Sequence, residues 1–549
     1  RNSTMKEEEE EQEEHRMSNN DYIAVDDDIQ DVAQKIYGRR PPRRPSRKQN
    51  DEEQDKNGDT HHDKEDYSEA QQSQSQSCRS RPCELLAPMV RASTTPLRTL
   101  ALKYGADMCY SEELVDRSIS STVRVVNPEL GTVDYVKNKF NLSKKTQRKL
   151  GDRPCLMLRI SQRDELLKTN ENPYGRFICQ LGTGEPELAL PAAQRVYEDA
   201  AAIDINMGCP KKFSVSGGMG SALLKDPGRA SRIIKTLRHG LTSPSSPSLS
   251  SNEDSNNNVS KKVLPVSCKI RLLPTVKQTV EFVDAMIGAG ANAVAIHARQ
   301  AGQEAMVDAD WKSLEEVLGI LRPKYPRIPL LVNGDFYDRQ ERYEFMERTK
   351  IDGVLLGRPA LYNCSTFYQY PKPLIDKTKI IQEYLTETVR YDTHPKNAKY
   401  VICEMMTNRR TPTSRVLKLP IQFPGGQTIA KTCDCQAIQS LCKVWNVNYS
   451  HAMEYKQQQQ QEFQLLNYSQ SEPAPVSSSS AAAMPMVPGD SRYDDSFFLK
   501  HLKTAGAPTS SGTKHAEEEK AESSVAAESN NKNDAKSSTE PSNKRAKLQ

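Results

Sequence analysis

The chain has 549 residues, a formal net charge of +4 and only 36% hydrophobic residues, with a mean hydropathy of −0.73. No apolar run approaches the 18 residues of a membrane-spanning helix, and no signal-peptide pattern opens the sequence. The 12 cysteines have no regular spacing and no His cluster stands at ligand spacing, so neither a disulfide framework nor a structural metal is expected.

The apolar deficit is concentrated at the ends. Residues 1–81 hold EEEEEQEE, RRPPRRPSRK and QQSQSQS, and residues 451–549 a glutamine run, SSSSAAA and a charged serine-rich tail. Such segments bury too little apolar surface to offset chain entropy, so both are expected to be disordered tails. PSNKRAKL at 541–548 reads as a basic nuclear-import signal, which points to a cytoplasmic or nuclear protein.

Between the tails, short apolar runs alternate with amphipathic stretches. The runs are ELLAPMV (84–90), DMCYSEE (107–113), RFICQLGT (176–183), AAIDINM (201–207), VLPVSCKIR (263–271), AVAIHA (293–298), PLLVNGD (329–335) and DGVLLGR (352–358). Apolar residues recur at three and four in the intervening LALPAAQRVYEDA and TVKQTVEFVDAMIGAG. Eight strand–helix repeats predict an α/β fold, a (β/α)₈ TIM barrel over 82–365. An open doubly wound sheet would show a glycine fingerprint after its first strand, and APMVRAST has none. Two segments interrupt the repeats: 131–175, with a hairpin expected around CLMLRIS, and the polar insertion 241–262, expected to be a mobile surface loop. Residues 366–450 read as a small helical domain. They carry twelve Lys and Arg against six Asp and Glu, which suits an anionic partner.

A barrel enzyme carries its site at the C-terminal ends of its strands. Those ends offer Pro88, Met89 and Val90; Glu112 and Glu113; Gln180; Asn206 and Cys209; Lys269 and Arg271; His297 and Arg299; Asn333 and Asp335; Gly357 and Arg358. One such residue is commonly a turn or cap; a full rim of them is not. Loops after strands seven and eight are the usual phosphate site of a barrel. Lys269 would sit by an electron-rich ring and Met89 would form an apolar floor. FMN fits these features.

APMV, QLGT, NMGCPK, GGMGSALL, SCKIR, HAR, VNGD and GVLLGRPAL, in this order over about 84–361, resemble the motif series of the tRNA-dihydrouridine synthases. NMGCPK with an unbroken GGMGSALL, and the later NAKYVICEMM, are similar to the eukaryotic type that modifies position 20 of the D-loop. No double-stranded RNA-binding domain follows residue 450, as in the fungal pattern. The resemblance implies an FMN-dependent oxidoreductase that uses NADPH or NADH to reduce the C5=C6 bond of a tRNA uridine. Hydride would pass from flavin N5 to C6 and a proton from Cys209 to C5. Pro88, Met89, Val90, Gln180, Lys269, His297, Asn333, Gly334, Asp335, Gly357 and Arg358 would hold the flavin. Asn206 would lie near the base. Glu113, Lys211, Lys212 and Arg299 are further candidates for contact with the RNA, as are Lys396, Lys399, Arg409, Arg410, Arg415 and Lys418 of the helical domain.

A thiol with an ordinary pKa of about 8.5 is protonated at neutral pH and can donate. The serines and glycines that follow Cys209 suit a lid closing on RNA. No membrane contact is expected. A monomer is expected, with protein partners for the tails unknown. An FMN barrel enzyme of small molecules, or a non-catalytic tRNA-binding protein, stands as an alternative.

Overall fold

The computed structural model describes residues 27–41, 80–138, 140, 142–150, 154–242, 264–369, 371–407, 423 and 425–471, and these belong to one compact unit. Twelve strands occur in chain order: β1 (Cys83–Leu86), β2 (Met108–Tyr110), β3 (Leu114–Val115), β4 (Thr122–Asn127), β5 (Thr132–Lys137), β6 (Cys155–Ser161), β7 (Phe177–Gly182), β8 (Ala202–Met207), β9 (Val266–Leu272), β10 (Ala293–Gln300), β11 (Leu330–Asn333) and β12 (Gly353–Leu356).

Eight of these close a parallel barrel. β1 pairs with β12 and β2, β2 pairs with β7, and β7 to β12 pair in succession. Each of the eight coincides with one of the apolar runs read from the sequence. Cross-barrel register puts Asn206 opposite Lys269, and His297 opposite Asn333. Alternation along a strand then decides which residues enter the barrel. Outward side chains such as Leu86, Ile203, Ile270 and Ile296 pack with the helices in one large core. A separate interior core combines the small Ala202, Ala293 and Ala295 with the larger Leu85, Met108, Tyr110, Ile178, Leu331 and Leu355.

Tyr37 completes that interior, and it comes from a segment expected to be a disordered tail. Residues Asp27–Tyr37 form a helix with Ile29, Ala33, Ile36 and Tyr37 buried. Gln30 donates to the carbonyls of Asn292 (3.1 Å) and Arg327 (2.9 Å), at the N-terminal ends of the barrel strands. The expectation of disorder over 1–81 is thus corrected for this stretch. Its apolar residues follow an i, i+3, i+4, i+7, i+8 pattern that overall composition conceals. The second tail is likewise not structureless throughout, since a helix runs Tyr449–Ser471.

The segment 131–175 holds more structure than a hairpin. β4, β5 and β6 form an antiparallel sheet, clamped by the buried Arg98–Glu165 pair (2.5 Å). Residues 243–262 of the polar insertion and the basic stretch 541–548 lie outside the described residues. The helical region contains Lys377–Arg390, Pro395–Thr407, Ile429–Asp434 and Ile438–Val444. It is fastened to the barrel by Lys103–Glu383 (2.9 Å), Thr99–Glu387 (3.2 Å) and Asn397–Thr94 (3.1 Å). No helix of the described residues is long and apolar enough to cross a membrane.

Candidate active site

The C-terminal ends of the strands surround a cavity of about 450 Å³. One side is built by the turn after β8. Asn206 Oδ1 accepts from the backbone N–H of Gly208 (3.0 Å) and Cys209 (2.9 Å), an Asx turn that fixes where the thiol stands. Gly220, at φ +59°, backs this turn; a Cβ there would lie 2.6 Å from the Cys209 carbonyl oxygen. Ser221 N–H donates to that oxygen at 3.0 Å. The small residues after Cys209 are therefore used for close packing.

The thiol is half-buried. Burial, then the nearby Glu113 carboxylate, push its pKa upward, so it holds its proton at neutral pH. Ser214 Oγ donates to Glu113 Oε1 at 2.8 Å. Glu113 Oε2 is buried with no hydrogen-bond partner among the described residues.

The opposite side is cationic. Lys269, Arg271, Arg299 and Arg358 converge there around His297. Asp335 takes Arg299 at 2.5 Å and Arg358 at 2.8 Å, and accepts the Ala309 N–H at 2.8 Å. Burial, then Arg271, pull the Lys269 ammonium down to about 8. Burial, then Arg299, pull Arg271 down to about 10. Burial and the surrounding cations push His297 well below its ordinary value, so its ring is neutral. Four cations against Asp335, with Asp204 acting on Lys269 from below, leave an excess of positive charge, which an anion would relieve. Gly334, at φ +139°, lets the backbone pass Ala298 and Ala309, each of whose Cβ atoms a Cβ at this position would approach to 3.1 Å.

Beneath the cavity Asp204 accepts from Gln180 Nε2 (2.8 Å) and Ser267 Oγ (2.7 Å). Burial lifts its pKa to about 6.

This chemistry agrees with comparisons to known proteins. The dihydrouridine synthase (Dus) family matches residues 155–409. A tRNA-dihydrouridine(20) synthase [NAD(P)+] of Saccharomyces cerevisiae is 30% identical over 335 residues, covering 59% of this chain and 77% of that protein. The chain belongs to the dihydrouridine synthase family. The corresponding protein of Schizosaccharomyces pombe is 33% identical over 370 residues, 67% of this chain and 65% of that one. The chain thus spans just under two thirds of that relative's length. A tRNA-dihydrouridine(16/17) synthase of Schizosaccharomyces pombe is 27% identical, covering 54% of this chain and 59% of that one.

Most of the rim residues singled out in this Dus chain meet in the one cavity. Pro88, Met89, Val90, Gln180, Lys269, His297, Asn333, Gly334, Asp335, Gly357 and Arg358 line it, with Glu113, Asn206, Cys209, Lys211 and Arg299. Several stand differently from the expectation. Gln180 is engaged by Asp204 and by Asn206 Nδ2 (3.1 Å), and the Asn333 amide donates to the Leu355 carbonyl at 2.7 Å. Arg299 is 1% exposed and held by Asp335, which puts it at the anion end and not on an RNA-facing surface. Lys399 donates to the carbonyls of Cys433 and Cys435, both at 2.7 Å, where it caps a helix. Lys212 and Lys396 are exposed and outside the cavity lining. Arg409, Arg410, Arg415 and Lys418 lie outside the described residues.

Sequence reasoning gave no role to Arg271, whose Nε donates to the Gly208 carbonyl at 2.7 Å and ties the two sides of the cavity together. It also missed Tyr400 and Glu404, which the helix Pro395–Thr407 brings to the cavity wall. Their signal was the amphipathic NAKYVICEMM, where both fall on one helical face. Among the described residues no three His, Cys, Asp or Glu side chains cluster as metal ligands.

Proposed function

We propose that this chain is a tRNA-dihydrouridine synthase that reduces the C5=C6 bond of a D-loop uridine, at position 20, with FMN and NAD(P)H. One observation carries the reading: a protonated thiol on an anchored turn shares a single cavity with an end where cations outnumber carboxylates. The position-20 relatives are at 30% and 33% identity, against 27% for the 16/17 relative.

The residues present fit FMN. Arg271, Arg299, Arg358 and the Gly334 and Gly357 backbone would receive its phosphate. Met89 and neighbouring Pro88 and Val90 offer apolar contact to a flat ring, and Lys269 a cation beside it. When bound, the flavin supplies the hydride, itself replenished by NADPH or NADH. Cys209 donates its proton to C5 and recovers one from water. A thiol whose pKa is pushed up suits this task, because the donor form is populated. His297, kept neutral, adds hydrogen bonding without further charge. The uridine has to leave its stack to enter. Lys211 at the cavity edge and the exposed Lys212 and Lys396 would meet phosphates, a role supported for the helical region by its twelve basic against six acidic residues.

The test is dihydrouridine content of tRNA from cells lacking this protein, complemented with wild type or Cys209→Ala. Loss at position 20 restored only by wild type is expected, with at least about a 100-fold fall in turnover for the variant. Rescue by Cys209→Ala would return the thiol to a packing role. Intact dihydrouridine in the deleted cells would overturn the assignment.

A further inference from the structure

The helix Asp27–Tyr37 does more than cap the barrel. Tyr37 is fully buried, and its hydroxyl lies 2.9 Å from Ser267 Oγ. Ser267 Oγ donates to Asp204 Oδ1 at 2.7 Å. A hydroxyl has one proton, so Ser267, having given its own to Asp204, accepts from Tyr37. Asp204 Oδ2 accepts from Gln180 Nε2 at 2.8 Å. That orients the Gln180 carbonyl oxygen toward Asn206 Nδ2, 3.1 Å away. Asn206 in turn presents Oδ1 to the N–H groups of Gly208 and Cys209. Each link then has one polarity, with the donors running from both ends toward Asp204. The amide orientations of Gln180 and Asn206, otherwise free to flip, are set by this carboxylate.

We infer that Tyr37 is a positioning residue of the active site, acting through Ser267, Asp204, Gln180 and Asn206 on the turn that holds Cys209. The N-terminal helix thus supplies one positioning side chain, Tyr37, though it lies outside the residues matched to the family, 155–409. The small inward residues Ala202, Ala293 and Ala295 create the space its ring occupies. A packing role would need the ring alone. The hydroxyl, placed on the one serine that reaches Asp204, is what links the two ends. Hydrogen-bonded chains of this kind polarise and stiffen one another.

The inference rests on the proposed role of Cys209, and its test separates the two. Tyr37→Phe and Ser267→Ala each break the chain while leaving most of the packing; Gln30→Ala disturbs the same helix at its contacts to Asn292 and Arg327 without touching the chain. Three quantities are read: the rate of Cys209 alkylation by iodoacetamide, resolved by peptide mass spectrometry; kcat and KM for tRNA; and the melting temperature. Both chain variants are expected to alkylate Cys209 about three- to tenfold faster, with kcat lower by a similar factor and KM for tRNA unchanged. The double variant is expected to match either single one. Gln30→Ala should lower the melting temperature and leave alkylation and kcat at wild-type values. Wild-type alkylation and kcat in a folded Tyr37→Phe protein would overturn the inference, as would additive effects in the double variant. Should Tyr37→Phe fail to fold, Ser267→Ala decides by the same readings. Wild-type protein that makes no dihydrouridine would count against the proposed reaction, while the alkylation rates would still report the coupling.

Discussion

The two ends of the barrel are built on opposite terms. At the N-terminal end several polar groups are matched, Gln30 against two carbonyls, Tyr37 against Ser267 and Arg81 against Asp107, although Arg40 Nε and Arg81 Nε are left over among the described residues. At the C-terminal end they are left mismatched. Lys269 and Arg271 are held below their ordinary pKa, His297 is kept neutral by burial and then by its cationic neighbours, and Glu113 Oε2 has no partner among the described residues. A fold gains stability from the first arrangement and gives some up for the second, where the missing partners are those a ligand brings. The same strands run through both ends, so the contrast lies in which residue types alternate into the barrel at each level.

The largest expected effect is on stability and belongs to the matched end. Tyr37→Ala would leave a void among Ala202, Ala293, Ala295 and Tyr110, and should cost about 3–5 kcal/mol in urea unfolding. A loss under 1 kcal/mol would mean the helix is a loose cover. The mismatched end should respond in turnover more than in folding. Gly220→Ala would force a Cβ to within 2.6 Å of the Cys209 carbonyl oxygen, at a backbone φ of +59° that favours glycine. A displacement of the thiol near 1 Å would lower dihydrouridine formation about 100-fold. Flavin retention should be unaffected, since the cationic side is elsewhere. A variant with full turnover would show that the turn adjusts freely and would weaken the role of Asn206 as its anchor.

The sequence made the mismatched end far more readable than the matched one. All eight barrel strands and about half of the cavity residues stood out, because polar residues at strand ends draw attention and apolar runs mark the strands between them. The plug did not stand out. Its eleven residues sit inside an acidic, proline- and glutamine-rich context whose average swamps an i, i+3, i+4 pattern of Ile29, Val32, Ala33, Ile36 and Tyr37. Even a correct helix would not have led to Ser267, since contact across 230 residues is a tertiary fact. Charge misled in the other direction. Arg299 and Lys399 read as RNA contacts because basic residues near a site suggest phosphates. Arg299 is buried beside Asp335 in the cavity, and Lys399 is taken up by two carbonyls at a helix end. Residue type gives the sign of a partner, not whether the protein has already provided it.

The smallest effect, a pH dependence, separates the cost of the mismatch from its use. Lys269 stands at about 8 in the folded chain against an ordinary 10.5. Between these values the unfolded chain holds the proton and the folded one does not, so stability of the ligand-free protein should rise with pH across this window. Flavin binding should move the other way, because the charged ammonium is the form that attracts an electron-rich ring and a phosphate. From pH 7 to pH 9 the charged fraction drops about tenfold, and FMN affinity should drop by up to that factor. Melting of the apoprotein and fluorescence titration with FMN at both pH values test the pair. Lys269→Met should flatten both trends. Affinity that is equal at pH 7 and 9 in wild type would place Lys269 away from the flavin and leave the arginines and the glycine backbone to hold it alone.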